Sequence, residues 1–510
     1  MKNAGGRSGR KSGGRAARLA LRHAEKPVFH PADPGQISGA YKPLTEREIK
    51  RIYDSALTLL ADLGMGECPQ DLVDVAVAKG AQYRDGRLHY PRAMVEDIID
   101  GACKSFIYYG RDNAHDFEVG GNRTYFGTGG AAVQAVDLET GAYRPTTLQD
   151  LHDFTRLIDT LPNISWFTRC CIATDVPDNF DLDINTAYAL IKNTTKPVGT
   201  AFTLGSHVDP IIDMFDMALG GEGRFAERPF CKAHISPVIS PMRYGEDAVE
   251  VTVACIKRGV PINSIIAAQS GATAPATLAG FLVQSLAETL AGLILVNLFK
   301  PRYPVIFSNW PLVIDLRTGA FAGSGGESAV MNAAAAQISN WLGLPSGIAS
   351  SMADAKAIDA QMGAEKALAA VTAGLSGANM VYESSGMMAA LLGASFEAFV
   401  LDNEMLGHVN RTLRGVEVND ETLGLDAIRS AVMGEGHFLG EPQTMAAMER
   451  DYYYPNFADR EAPITWTEKG EIDIRDKARA HAKKVLAEHH PDYLGDADAK
   501  IRDRFKDHIR

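Results

Sequence analysis

Six cysteines in 510 residues is a small number, and no two of them form a C-x-x-C pair. This excludes a disulfide scaffold and the usual zinc-ribbon spacings, and it fits reduced thiols in a cytoplasmic protein. Also missing are G-x-G-x-x-G after a strand, G-x-x-x-x-G-K-[ST], H-E-x-x-H and G-x-S-x-G. The chain therefore offers no nucleotide-phosphate cradle, no helical zinc pair and no serine elbow. Basic charge is scarce: 51 Lys and Arg stand against 63 Asp and Glu, a net −12. Eight of those basic residues fall within residues 1–26, beside one acid, so the remainder is more acidic still. An acidic body excludes a nucleic-acid backbone as partner. The basic tail has no apolar block long enough for a secretory signal and reads as a disordered, solvated arm. The longest apolar run, Thr277–Phe299, is interrupted by Gln284, Ser285, Glu288 and Thr289 at helical spacing. It predicts a buried core helix and no membrane partner.

What is present is a repeating rhythm. After the tail, residues 27–120 open on Pro31, Pro34 and Gly35. A helix follows, with Thr45 as N-cap, Glu48 closing a capping box and Gly64 ending it. Its apolar stripe is Ile49, Ile52, Ala56, Leu59, Leu60 and Leu63. From residue 121 onward, short β-like runs alternate with helical stretches: 124–127, 165–173, 196–203, 230–238, 261–269, 304–310, 346–352 and 379–384. Seven lead into helical patterns, and the first leads into a hairpin-like stretch with a helix starting near Thr147. Eight βα units predict an α/β fold, a (β/α)8 TIM-type barrel over residues 121–440. A doubly wound sheet would advertise a phosphate loop, which is lacking. Residues 27–120 are expected to pack on the barrel as a helical and extended region. Residues 441–510, with an exposed charged helix ending before Pro491, form a C-terminal helical extension.

Chemistry in such a barrel sits at the C-terminal ends of its strands. Those ends are polar or aromatic here: Thr203, His234 and Ser236, Gln269 and Ser270, Asn309 and Trp310, Ser350 and Ser351, Tyr382 and Glu383. A buried polar group needs a partner, so the set reads as a lined pocket. After the seventh strand, Asp354, Lys356, Asp359 and Gln361 crowd a loop-to-helix junction, where Asp354 would otherwise be a helix N-cap. Cys231 and His234 make C-x-x-H, but on a strand they face opposite sides, so no metal site is expected. Asp150-Leu-His152-Asp-Phe-Thr155 begins like the corrinoid-ligand motif D-x-H-x-x-G but ends in Thr within a helical run.

The spelling of several blocks resembles the trimethylamine methyltransferase family, including its quaternary-amine members. The blocks are GAYKPLTEREIKRIYDSALTLLADLG, TYFGTGGAAVQAVDLETGAYRPTTLQDLHDFTRLIDTLPNI and GATAPATLAGFLVQSLAETLAGLILVNLFKPRYPVIFSNW. With them go SMADAKAIDAQMGAEKA and the closing DREAPITWTEKGEIDIRDKARAHAKKVLAEHHPDYL. The likeness spans residues 38–495. It implies a barrel that passes a methyl group from a methylated amine to the Co(I) corrinoid (cobalamin) of a separate protein, with no cofactor held tightly by this chain. It also implies a cytoplasmic enzyme of one-carbon metabolism, expected to form a homo-oligomer. Archetypal members carry pyrrolysine in the pocket; ordinary side chains stand near Ser351–Lys356 here. The departure points to quaternary amines such as glycine betaine, whose methyl carbon is already activated. Aromatic faces hold such cations, so Phe126, Phe202, Trp310 and Tyr382 are candidate substrate-binding residues with Asn309 and Ser351. Lys356 or His437 would bind a substrate carboxylate, and Asp354, Glu383 and Gln269 are the candidate catalytic groups. Two other functions fit the residues: a barrel lyase or aldolase using Lys356 as a Schiff-base amine, and a non-catalytic binding protein for methylated amines.

Overall fold

The computed structural model describes residues 30–510; the basic tail of residues 1–26 lies outside them. Each apolar run picked out above overlaps a strand, and all but the first strand are shorter than their run: β1 (Arg123–Phe126), β2 (Phe167–Thr168), β3 (Val198–Thr200), β4 (Cys231–Ile235), β5 (Ile262–Ile266), β6 (Val305–Asn309), β7 (Ser346–Ala349) and β8 (Met380–Tyr382). They lie in one nine-stranded sheet in the order β1-β8-β7-β6-β5-β4-β3-β2, with Gln36–Ile37 antiparallel on the outer side of β1. All seven contacts between neighbours in that order are parallel, in registers such as Val198↔Cys231, Ile262↔Val305 and Gly347↔Met380. The strands at the two ends of the order, β1 and β2, meet in a parallel bridge between Gly127 and Trp166, and Ser165 N–H donates to the Phe126 carbonyl at 2.8 Å.

Each strand feeds a helix: α2 (Leu148–Asp159), α3 (Asn179–Asn193), α4 (Val208–Ala218), α5 (Glu246–Lys257), α6 (Leu278–Phe299), α7 (Gly326–Trp341), α8 (Ala360–Leu375) and α9 (Phe396–Arg414). An earlier helix, α1 (Glu46–Thr58), carries the capping box read from Thr45 and Glu48, and α2 carries a second one from Thr147 and Asp150. Asp150 also takes both arms of the Arg144 guanidinium, at 2.7 and 2.8 Å. Ile49, Ile52, Ala56 and Leu60 are buried as the stripe requires, but Leu63 is 46% exposed. The helix ends in a π-helical turn, Leu59–Leu63, whose wider pitch rotates Leu63 off the stripe.

Helix α6 is apolar all round and packs on β5, β6 and α1, as a helix without a polar face must. It is the one helix among the described residues long and apolar enough to cross a membrane, and 78% of that window is buried. Its polar interruptions have partners. Glu288 accepts from Ser240 Oγ, Met242 N and Gln284 Nε2 at 2.5–3.0 Å, tying the loop after β4 to the helix.

The described chain forms two compact units. One holds Ala32–Val416 and Tyr453–Arg510 and contains the whole sheet; the other is centred on Glu417–Tyr452. In the smaller unit, three short helices (Asp420–Leu423, Leu425–Met433 and Pro442–Arg450) are held by the Asn419 cap and by Arg450, 3.0 Å from Glu421. The C-terminal α10 (Ile474–Glu488) belongs to the larger unit. It buries Ala478, Ala482 and Val485, and Arg479 reaches the buried Glu397 at 2.9 Å.

Candidate active site

Alternation along the strands decides which side chains meet inside the sheet. At β2 the inward positions are Thr168 and, just before the strand, Trp166; on β4 they are Lys232 and His234, and on β8 Met380 and Tyr382. The geometry requires glycine opposite the largest of them. A Cβ on Gly127 would stand 2.3 Å from the Trp166 ring, and one on Gly199 would stand 2.5 Å from Lys232 Nζ and 2.7 Å from Thr168 Oγ1.

Tyr382 is the hub. Its ring centroid lies 5.2 Å from that of Trp310, 5.2 Å from Trp166 and 5.7 Å from His234, and His234 is 5.4 Å from Trp310. Asn263 Nδ2 donates to His234 Nδ1 at 3.1 Å, which leaves the ring proton on Nε2; Asn263 Oδ1 in turn accepts from Ser308 Oγ. Burial, helped by Lys232 and Arg169, pushes His234 well below the usual histidine range, so the ring is a neutral imidazole. Lys232 is fully buried, donates to Thr168 Oγ1 at 2.6 Å, and lies 5.0–5.8 Å from the Tyr382, Tyr108 and Trp166 ring centroids. Burial pulls its ammonium down to about 7.

At the C-terminal ends stands Glu383, fully buried, with neither carboxyl oxygen hydrogen-bonded. Its backbone is left-handed at φ 63°, a strained state for a residue with a side chain. Its oxygens fill the room that Gly129 and Gly130 leave: Cβ atoms there would be 2.7 and 2.8 Å from Oε1 and Oε2. Burial raises this carboxyl to about 8, with Lys366 opposing. A buried carboxyl without a partner is the kind of group kept for a ligand.

Of the sequence-derived residues, the interior thus gathers Trp310 and Tyr382, with Glu383 at the strand end. The others go elsewhere, for reasons of alternation and loop packing. Asn309, next to Trp310, points the other way and donates to Ser285 of α6 at 3.1 Å. Ser351 donates to the Lys366 carbonyl of α8 at 2.9 Å. Phe126 is opposite in phase to Tyr125, which stacks on Phe117, and to Gly127; Phe126 and Phe202 are both buried. Gln269 is half-buried in a short strand beyond β5, its carbonyl closing a turn on Ala272, Thr273 and Ala274. Asp354 is not a helix cap: its carboxylate holds Gly323 N at 2.7 Å and Ser324 Oγ at 2.8 Å, while Asp359 caps α8. Lys356 is exposed, and its carbonyl accepts from Tyr143 Oη at 2.9 Å. His437 belongs to the smaller unit, where it is exposed and 3.4 Å from Glu435. His234 is legible in the sequence only as one polar strand end among several, and Lys232 and Trp166 carry no sequence signal beyond their inward strand positions.

Among the described residues no cluster of His, Cys, Asp and Glu could hold a metal. His152 of the D-x-H run is spent inside the protein: its Nδ1 meets Asn193 Nδ2 at 2.7 Å, its ring contacts Tyr188, and burial lowers it to about 4.

Eight parallel strands, each followed by a helix, with aromatic rings gathered on one side of the sheet and an unpaired buried acid at the strand ends, define an α/β protein. The chain belongs to the trimethylamine methyltransferase family, whose model matches residues 11–510, and it is a methyltransferase. It is 27% identical over 470 residues to the glycine betaine methyltransferase of Desulfitobacterium hafniense, covering 92% of this chain and 97% of that one. It is 29% identical over 455 residues to the trimethylamine methyltransferase of Methanosarcina thermophila, covering 87% and 92%. Among solved structures, the monomethylamine methyltransferase of Methanosarcina barkeri aligns with a TM-score of 0.46 at 12% identity, over 91% of this chain and 99% of that one.

Proposed function

We propose that this enzyme takes a methyl group from a quaternary amine of the betaine type and delivers it to a corrinoid carried by a separate protein, acting in the cytoplasm. The observation that carries the reading is the Trp310–Tyr382–His234 ring cluster beside the unpartnered Glu383 carboxyl. Aromatic faces attract a quaternary ammonium, and the neutral imidazole does not repel it. Glu383 supplies a countercharge once a cation displaces its proton. The relative named glycine betaine methyltransferase supports the same substrate class. All six cysteines are free, as suits a reducing compartment. The Gly127–Trp166 bridge supports closure of the eight parallel strands into a (β/α)8 barrel, whose C-terminal face would hold the reaction.

The chemistry asks little of the side chains. Co(I) of the corrinoid supplies the nucleophile. The quaternary nitrogen leaves as a neutral tertiary amine, so no proton has to be delivered to it. The residues of this chain hold the cation against Tyr382 and Trp310, exclude water, and aim one methyl group outward. The test is methyl transfer to cob(I)alamin from a panel of quaternary and tertiary amines, read in the visible spectrum. Turnover of quaternary amines is the expected result. Turnover of trimethylamine alone would overturn the substrate class, and tight binding of quaternary amines without transfer to any acceptor would make the chain a binding protein.

A further inference from the structure

The smaller unit, Glu417–Tyr452, turns its apolar residues outward. On its helix Leu425–Met433, the residues Leu425, Ile428 and Val432 fall at i, i+3 and i+7, the spacing of a stripe that ordinarily faces a core. All three are exposed, Val432 at 70%. So are Met445 and Met448 on the helix Pro442–Arg450, and Leu439 between the two helices. Among residues 417–452 only Ala431 is buried. Outward apolar surface of this kind marks a contact site. The same unit is acidic. It has eight Asp and Glu against Arg429 and Arg450, a net −6 with His437 neutral. Arg450 is already paired with Glu421 and Asp451, while Asp426, Glu435 and Glu449 are exposed at the surface.

Charge selects the occupant. Outside residues 1–26 the chain carries 43 Lys and Arg against 62 Asp and Glu, so the body of a second copy would repel this unit. Residues 1–26 carry eight Lys and Arg against Glu25, a net +7, nearly equal and opposite to the −6 of the unit. They also hold apolar side chains among the charges, with Leu19 and Leu21 between Arg18 and Arg22. We infer that residues 1–26 dock on the apolar, acid-rich surface of residues 417–452 in the same chain, their arginines on the carboxylates and Leu19 and Leu21 on the exposed stripe. This replaces the solvated arm that composition alone suggests. A single exposed ion pair would not hold such a segment; several around an apolar contact do.

The test is zero-length carbodiimide coupling of the full chain, which joins lysine amines to carboxylates in contact. Mass spectrometry on a mixture of isotopically light and heavy protein reads the products. Lys11 and Lys26 should couple to carboxylates within residues 417–452 of the same chain. The yield should fall about threefold or more between about 0.1 M and about 1 M salt, as the screening length shrinks from about 10 Å to about 3 Å. Arg15→Glu, Arg18→Glu and Arg22→Glu together should abolish these links. Adding Asp426→Lys, Glu435→Lys and Glu449→Lys to that variant should restore links between the two segments, because the complementarity returns with its signs exchanged. Coupling of Lys11 and Lys26 to carboxylates outside residues 417–452, or to none, would overturn the docking. Links found only between light and heavy chains would make a second copy the donor and overturn the assignment within one chain. Links that survive both the arginine substitutions and high salt would overturn charge as the selector.

Discussion

Lys366 Nζ lies 3.0 Å from Asp402 Oδ2, with both side chains almost fully buried. The same ammonium donates to the Ser351 carbonyl at 3.0 Å, and Asp402 accepts from Gly386 N at 2.7 Å. One ion pair between α8 and α9 thus ties down the segments that follow β7 and β8. Left-handed residues sit in those segments, among them Ser351 at φ 74° and Glu383 at φ 63°, and such strain persists only where surrounding contacts over-determine it.

Breaking this pair from one side should therefore be severe. Asp402→Asn leaves a buried ammonium without its counter-ion, and the expected cost is about 3–5 kcal/mol in urea unfolding. The double variant Lys366→Met with Asp402→Leu should recover most of the stability. It should not recover full activity, because the Ser351 and Gly386 anchors are gone. A loss below about 1 kcal/mol for Asp402→Asn, the scale of an exposed pair, would show that the pair is solvated.

The aromatic cluster should distinguish charge from bulk. Trp310→Ala or Tyr382→Ala should cost up to about 2 kcal/mol of glycine betaine binding, and much less for tert-butylacetate, in which carbon replaces the nitrogen. Titration of both ligands against wild type and the two variants measures it. Equal losses would mean an apolar wall with no preference for a cation.

Binding of a quaternary amine should tighten as pH rises from about 6 to about 8. A cation favours the ionised form of Glu383, whose free carboxyl titrates near 8 because it is buried. Lys232, drawn to about 7 by burial, acts in the same direction, since losing its proton removes a competing positive charge from the Tyr382 face. Glu383→Gln and Lys232→Met should each flatten part of the profile. A profile that stays steep in the double variant would assign the dependence to other groups.

Lys232 should also leave a mark on stability. Its folded-state value of about 7 lies below the ordinary 10.5. Between those two values the unfolded chain binds more protons than the folded one, so stability contributed through this group rises with pH across that window. The slope approaches about 1.4 kcal/mol per pH unit. The advantage of Lys232→Met over wild type in chemical unfolding should be full below pH 7 and shrink steadily above it. A difference that is flat from pH 7 to pH 10 would mean that the buried amine keeps an ordinary affinity for its proton.

By itself, the sequence determined the element plan and the family. Apolar runs of strand length, capping boxes at Thr45 and Thr147, and the spacing of eight βα units are local facts, set by side-chain periodicity and backbone hydrogen bonding over a few residues. The aromatic and acidic ends of β6 and β8 were legible for the same reason: Trp310, Tyr382 and Glu383 interrupt apolar strands where polarity has to be explained. Only the tertiary structure decided which neighbour faces inward. Strand side chains alternate, so a shift of one residue sent Asn309 to α6 while Trp310 turned to the rings, and Ser351 was drawn to the Lys366 carbonyl. Lys232 carries no motif. What surrounds Lys232, the Tyr108, Trp166 and Tyr382 rings and Thr168 Oγ1, depends on where strands distant in sequence place their partners.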